Sequence, residues 1–158
     1  IMPSLVGSEM CIRDRCWRLR SRGREIVCVP QSKVYHVGGA TLKKENPRKT
    51  FLNFRNNLVM LYKNLPAEEL NKVMRIRACL DYVAAFVFLL KGDWDNACAV
   101  MRARKEYKQI RPSFSSSREE NMRKKRLDLI PERTKSSILW QFYGRGCKRF
   151  SQLSDLKG

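Results

Sequence analysis

The sequence predicts an α/β segment followed by a run of helices. Before Pro66, apolar residues form two short β-type runs, one that ends at Pro30 and one that reaches Tyr35, and a helical pattern follows them. After Pro66, the apolar spacing is helical and is interrupted only by glycine, proline and polar segments. We therefore expect one α/β part and one helical part within a single chain of ordinary domain size.

The α/β part opens with a short amphipathic helix that runs to Gly23. One strand follows, and a second strand delivers Tyr35 and His36 to the glycine pair Gly38–Gly39. Glycines at the end of a strand let a ligand approach the backbone closely, and loop positions of this kind often carry function. His36, the only histidine of the chain, is therefore a candidate site residue.

A well-signalled helix closes this part. Asn46 is a preferred N-cap residue, and Pro47 suits the first turn of a helix. The apolar positions of this helix recur at helical spacing and predict one buried face. They are Phe51, Phe54, Leu58 and Leu61.

The helical part predicts three further elements. One helix covers 67–91 and ends at Gly92, and a second covers 93–110. The segment 113–126 is polar and charged and is expected to be exposed and partly mobile, and a last helix is expected over 134–143.

Charge dominates the composition. The chain has 33 Lys and Arg against 15 Asp and Glu, a net charge of +18, and this excess predicts an anionic partner such as nucleic acid, an anionic bilayer or a phosphorylated substrate. The six cysteines include no Cys-x-x-Cys pair, so neither a zinc site nor a disulfide framework is indicated.

The predicted helix 67–91 contains nine uncharged residues over 82–90. This run is too short to cross a bilayer, which requires about 20 apolar residues. Two interpretations remain open, a buried helix and a helix that lies in the membrane interface. The next helix combines aromatic, apolar and basic residues, which suits a headgroup layer. These residues are Trp94, Met101, Arg102, Arg104, Lys105, Tyr107 and Lys108.

Several short motifs share an order and spacing with a known family. They are Cys16–Arg18 (CWR), Val34–His36 (VYH) with Gly38–Gly39, Asn53–Asn57 (NFRNN) and Tyr62–Asn64 (YKN). With them the chain resembles, over residues 16–158, the C-terminal end of the catalytic domain of bacterial family 2 glycosyltransferases. These enzymes have the GT-A fold, and the rhamnosyltransferase-like enzymes of cell-envelope polysaccharide assembly are the most similar.

The resemblance implies a division of the chain. Residues 16–65 are then the C-terminal part of a GT-A domain, with a short helix, two strands and a helix, and residues 66–158 are a basic, helical, membrane-facing tail. Residues 1–15 do not match the family and resemble translated sequencing-adapter sequence, the alternative being a genuine N-terminal loop. Because the chain begins with Ile1, we expect the natural N-terminus to be missing.

The resemblance also implies a chemistry. These enzymes transfer a sugar from a nucleotide-sugar donor to an acceptor hydroxyl, with a divalent metal, Mg or Mn, that offsets the charge of the diphosphate, and with a carboxylate base. The metal-binding Asp-x-Asp motif lies upstream of the region present. The acidic pair that contains the base falls on Cys11 and Ile12, so we expect this chain to be inactive by itself. Asp14 falls on a third acidic position of the pattern and is interpreted as a coincidence within 1–15.

The resemblance assigns roles to three residues. His36 would approach the metal, and Arg55 would contact a phosphate of the donor or acceptor. Lys43 and Lys44, which lie beside the glycine pair in the sequence, would assist at that phosphate through their charge. Trp17 would line the acceptor pocket. The alternatives are a structural hydrogen bond for His36, a solvated position for Arg55 and core packing for Trp17.

The expected function is that of the C-terminal fragment of a glycosyltransferase at the cytoplasmic face of the bacterial inner membrane. Its acceptor would be lipid-linked or a polysaccharide, and its tail would bind an anionic membrane surface peripherally. Two alternatives stay open. One is a basic nucleic-acid-binding protein, for which the run 123–126 would contact phosphate, although no known nucleic-acid-binding motif is present. The other is a non-enzymatic membrane-docking module.

Overall fold

The described part of the chain is helical and contains no strand. The computed structural model describes residues 8–33, 35, 46–127, 130, 140–147 and 149. The helices are α1 (Ser8–Ser21), α2 (Pro47–Asn64), α3 (Ala67–Leu90), α4 (Trp94–Ile110) and α5 (Ser115–Arg123). A 3-10 turn (Arg111–Phe114) joins α4 to α5, and a π-helical turn covers Trp140–Gly144.

The predicted α/β segment, as the end of a GT-A domain, is wrong for the described residues. Residues 24–29, expected as the first strand, form neither helix nor strand, and Val27 is 76% exposed there. A strand requires a neighbour for its backbone groups, and a lone pair of short strands is marginal in water. Of the second expected strand, Tyr35 is described and is 97% exposed, whereas Val34 and His36 lie outside the described residues.

The helix ends follow the sequence signals. α1 ends just before Gly23, whose φ of 76° reverses the chain direction. The side chain of Asn46 accepts a hydrogen bond from the backbone N–H of Arg48 at 2.9 Å, which confirms Asn46 as the N-cap of α2. Pro47 occupies the first turn, as expected.

A tight turn joins α3 to α4. Gly92 has a φ of 74°, and the N–H groups of Gly92 and Asp93 donate to the carbonyl oxygens of Leu89 and Phe88, both at 2.9 Å. This pattern is a Schellman motif, which places glycine just after a helix. The Asp93 side chain then caps α4 by accepting from the N–H of Asn96 at 3.1 Å. The two helices consequently run antiparallel.

The core lies where α2 packs against α4, α3 and α1. Small side chains on α4, among them Ala99 and Ala103, are fully buried and allow the helices to approach closely. The remaining core is made of larger apolar side chains. They are Leu58, Tyr62, Leu65, Leu70, Val100 and Tyr107.

The segment 113–126, expected to be exposed and partly mobile, is exposed at most of its residues, and its middle forms α5, which packs on α2. Asn121 is buried there and donates to the carbonyl oxygen of Lys63 at 3.3 Å. The N–H groups of Arg126 and Leu127 donate to the carbonyl oxygen of Ser21 at 2.8 and 3.0 Å, which joins this segment to the end of α1. Hydrogen bonds from one side chain and from two backbone groups therefore hold this segment, which has few apolar residues, against α2 and the end of α1. Most of the last expected helix, 134–143, lies outside the described residues.

Candidate functional site

Two of the family-like motifs meet at the carboxylate of Asp14. Its Oδ1 accepts a hydrogen bond from Asn64 Nδ2 at 2.6 Å, and its Oδ2 accepts one from Lys63 Nζ at 2.9 Å. Arg18 of the CWR motif places its Nε 3.1 Å from the same Oδ2, as an ion pair one helical turn away. The carboxylate of Asp14 thus bridges the CWR motif on α1 and the YKN motif on α2.

The environment of Asp14 keeps its carboxylate ionised. Burial, which leaves the residue 8% exposed, by itself would raise the pKa of Asp14. The hydrogen bonds from Asn64 and Lys63, together with the charges of Lys63 and Arg18, outweigh burial and lower this pKa. A carboxylate with a lowered pKa and both oxygens engaged by donors is a poor proton acceptor near neutral pH. Asp14 therefore joins two helices and is not suited to act as a general base.

The sequence interpretation missed this contact. The interpretation of Asp14 as a coincidence within 1–15 does not account for it, because α1 is one continuous helix across the expected boundary at residue 15. The available signal was its spacing of four residues from Arg18, which favours an ion pair on one helix face. Ile12, at the family's base position, is exposed on the same helix.

Trp17 packs against the core cluster at the α1–α2 contact. Its side chain is partly buried beside core residues of α2, among them Leu58. This position agrees with the packing alternative, because the indole contributes apolar area to the interface between two helices.

Arg55 is held by its own surroundings. Its Nη1 donates to Glu106 Oε1 on α4 at 2.7 Å, and its Nε and Nη2 donate to Asn56 Oδ1 at 3.1 and 3.0 Å. The guanidinium also lies 5.3 Å from the centre of the Phe51 ring. Arg55 therefore connects α2 to α4, and the phosphate contact expected for it stays a prediction.

The other expected ligands, His36, Lys43 and Lys44, lie outside the described residues. Across the part of the chain that the structure describes, no group of three or more His, Cys, Asp or Glu side chains could hold a metal ion. The Mg or Mn implied by the family resemblance thus finds no ligand set in this part, and the assignment to His36 stays a prediction.

The broadest exposed feature is an apolar face on α3, continued by the first residue of α4. Its side chains are between 39% and 71% exposed, and they span about half of the helix circumference at about 100° per residue. We call this set the apolar face. It consists of Ile76, Leu80, Tyr82, Val83, Phe86, Val87, Leu89, Leu90 and Trp94.

A buried ion cluster fixes which side of α3 points outward. Asp81 is fully buried against α4, where its Oδ2 accepts from Arg104 Nη1 at 2.6 Å. Arg77 Nε lies 2.7 Å from Asp81 Oδ1 as an ion pair. Arg104 also lies 5.2 Å from the centre of the Tyr82 ring. Because this polar strip must face α4, the apolar residues of the opposite strip are turned to solvent.

The aromatic and basic pattern expected on α4 is divided by the fold. Tyr107 is buried in the core, and Arg104 forms an ion pair with the buried carboxylate of Asp81. Neither side chain therefore belongs to the outer surface. Trp94, Arg102 and Lys105 are exposed as expected, together with Met101 and Lys108.

Cations lie at both ends of the apolar face. Lys72 and Arg75 are exposed about one turn before it, and Lys91 directly follows it. None of the three forms an ion pair with an acidic side chain of the described residues, although exposed Asp95 lies beside Trp94. The outward side of α3 is thus apolar in its centre and carries cations at both ends, with Glu68 exposed in the first turn of the helix.

Of the helices described, none is both long and apolar enough to cross a membrane. Comparisons of the chain with protein-family models, curated proteins and solved structures found no match.

Proposed function

We propose that this chain is the membrane-docking C-terminal portion of a glycosyltransferase. The enzyme would transfer a sugar from a nucleotide-sugar donor to a lipid-linked or polysaccharide acceptor at the cytoplasmic face of the inner membrane. The observation that carries the docking is the apolar face of α3. This face is exposed to solvent, although the opposite side of the same helix packs against α4. The donor site would belong to other parts of the enzyme.

Apolar area that is exposed to water has a free-energy cost, which burial against lipid or protein removes. Contiguous apolar patches of this kind are uncommon on soluble monomers and mark interaction sites. From Ile76 to Leu90 the face extends over about 21 Å at about 1.5 Å per residue, shorter than the bilayer core of about 30 Å. A helix of these dimensions suits a position parallel to the membrane, with its apolar side below the headgroups.

The charges support an anionic lipid as the partner. Lys72 and Arg75 at one end, and Lys91 at the other, would reach the headgroup layer when α3 lies flat. Each basic residue near an anionic surface contributes about 1 kcal/mol of attraction, which salt weakens. The net charge of +18 acts in the same direction over longer distances.

The glycosyltransferase part of the proposal rests on the order of the sequence motifs. It is supported by the carboxylate of Asp14, which pairs with Arg18 of the CWR motif and accepts hydrogen bonds from the YKN motif. The base position of the resemblance falls on Ile12, and the described residues contain no group of three or more His, Cys, Asp or Glu side chains that could hold a metal ion. We therefore expect the chain alone to turn over no nucleotide-sugar, and expect its contribution to be the placement of the enzyme at the membrane.

Vesicle co-sedimentation tests the docking. The double variant Val83→Ser/Phe86→Ser removes apolar area from the face and should lower binding to vesicles of phosphatidylglycerol and phosphatidylcholine by about tenfold or more. The matched control Ile26→Ser/Val27→Ser removes exposed apolar area elsewhere and should bind as the unmodified chain does.

Equal binding by both double variants would contradict docking through the apolar face. Equal binding of the unmodified chain to neutral and anionic vesicles would contradict the role of the cations. If the chain instead bound single-stranded or duplex nucleic acid at moderate salt and ignored vesicles, the nucleic-acid alternative would replace the proposal.

A further inference from the structure

The geometry points to a phosphate-binding groove between the start of α2 and the second half of α4. This site does not use the apolar face, and it goes beyond membrane docking. Arg55, to which the family resemblance gives a role, does not line the groove but binds Glu106 beside it. The groove has a volume of about 480 Å³, within the usual range for small-molecule sites. Its lining consists of Arg48, Phe51, Arg102, Lys105, Glu106 and Gln109.

The groove carries an excess of positive charge. Arg48, Arg102 and Lys105 are exposed, and none forms an ion pair with an acidic residue of the described chain. The carboxylate that lines the groove, that of Glu106, is neutralised by Arg55 at 2.7 Å. Three cations around one concave surface attract an anion more strongly than the same charges spread over a convex surface.

The walls of the groove are fixed relative to each other. Arg55 links α2 to α4 through its bond to Glu106, and its guanidinium covers one side of the Phe51 ring. The small buried residues Ala99 and Ala103 hold α4 close to α2 behind the groove. The cations thus project from two helices that cannot move apart without loss of core packing.

A phosphate-bearing group is the anion that this chemistry suits best. Guanidinium groups match phosphate oxygens in a planar, two-pronged geometry, and an ammonium group adds a third charge. Arg48 and Arg102 come from different helices, so a phosphomonoester or diphosphate could be held from two sides. Phe51 and Gln109 add an apolar and an amide contact for the group that the phosphate carries. The phosphate could belong to a soluble ester or to a lipid headgroup.

The test uses inorganic pyrophosphate as the soluble probe and the full chain as the protein. Isothermal titration at low salt should give one saturable site for the unmodified chain. The variant Arg102→Gln/Lys105→Gln should weaken that binding by about tenfold or more, since two of the three cations are lost. The matched control Arg24→Gln/Lys33→Gln removes the same charge from the exposed segment after α1 and should leave pyrophosphate binding within about twofold. Unchanged circular dichroism would confirm that each variant is folded.

Vesicles distinguish the two sources of phosphate. If a lipid headgroup fills the groove, the unmodified chain should prefer phosphatidic acid over phosphatidylglycerol, and Arg102→Gln/Lys105→Gln should lose that preference. If a soluble ester fills it, pyrophosphate binding stands and the vesicle preference is absent. Val83→Ser/Phe86→Ser should keep pyrophosphate binding even where vesicle binding is lost, so the two proposals fail separately. No saturable pyrophosphate binding, or equal binding by the groove variant and its control, would overturn the inference.

Discussion

Asp81 and Arg104 form an ion pair of 2.6 Å that joins α3 to α4, and the carboxylate of this pair is fully buried. The pair determines the direction of the apolar face. It holds the side of α3 that contains Asp81 against α4, so the opposite, apolar side of the helix faces solvent. Loss of one partner leaves buried charge without compensation, which costs about 3–5 kcal/mol in comparable pairs.

Asp81→Ala should therefore lower the free energy of unfolding by about 3 kcal/mol, since it leaves Arg77 and Arg104 without their shared carboxylate. Urea denaturation followed by circular dichroism measures this change. The control Glu119→Ala removes an exposed carboxylate on α5 and should change stability by less than about 0.5 kcal/mol. If the two substitutions changed the free energy of unfolding by similar amounts, the buried ion pair would not be what holds α3 against α4.

Asp14 should make stability depend on pH in the acid range. Its folded pKa lies below the ordinary value of 3.8, so the stabilisation it provides is complete above about pH 5 and is lost as pH falls through the folded pKa. Asp14→Asn should be less stable than the unmodified chain at pH 7, and the difference should shrink toward pH 3. Denaturation curves between pH 7 and 3 measure it, and a constant difference over this range would contradict the ion-paired state.

Gly92→Ala should destabilise the α3–α4 hairpin by about 1 kcal/mol. A side chain at Gly92 meets no atom within 4 Å, so the cost comes from its φ of 74° alone. Thermal unfolding compared with the exposed helix substitution Lys72→Ala measures this cost. A melting temperature equal to that of Lys72→Ala would show that the turn does not require a left-handed residue.

Amide hydrogen exchange should separate α5 from residues 25–29. Backbone amides in the second half of α5 should be protected because they are hydrogen-bonded and the helix packs on α2 through Asn121. Amides of 25–29 should exchange close to the rate of an unstructured peptide, because they belong to neither helix nor strand. The amide of Arg24 is expected to exchange more slowly, because it donates to the carbonyl oxygen of Leu19 at 3.0 Å. Protection in 25–29 that equals that of α5 would indicate a strand and contradict the described fold.

Local signals predicted the helices well. Asn46, Gly92 and Asp93 mark helix ends through bonds within a few residues, so the sequence alone contains the information. The strand prediction was wrong because a β-type residue pattern does not reveal whether a partner strand is present to pair with its backbone groups. The pattern at Ile26 and Val27 is equally compatible with an exposed segment that lacks one.

The long-range contacts could not be predicted from such signals. Asn121 is a polar residue in a charged segment, and its buried position depends on hydrogen bonds to other elements. Its side chain donates to the carbonyl oxygen of Lys63 and to Asn64 Oδ1, and it accepts from Arg22 Nη2. The same holds for Arg104 and Tyr107, whose inward directions depend on the packing of α4 between α2 and α3. Helical spacing alone therefore does not predict which of the candidate residues on α4 lie in the core and which lie on the surface.

The most direct test of membrane docking is the position of Trp94 relative to the bilayer. In the variant Trp17→Phe/Trp140→Phe, Trp94 is the remaining tryptophan of the three and reports its own surroundings. With anionic vesicles that contain lipids brominated along the acyl chains, docking through the apolar face predicts a blue-shifted emission and strong quenching. An emission maximum and intensity that stay the same with and without these vesicles would contradict the proposal.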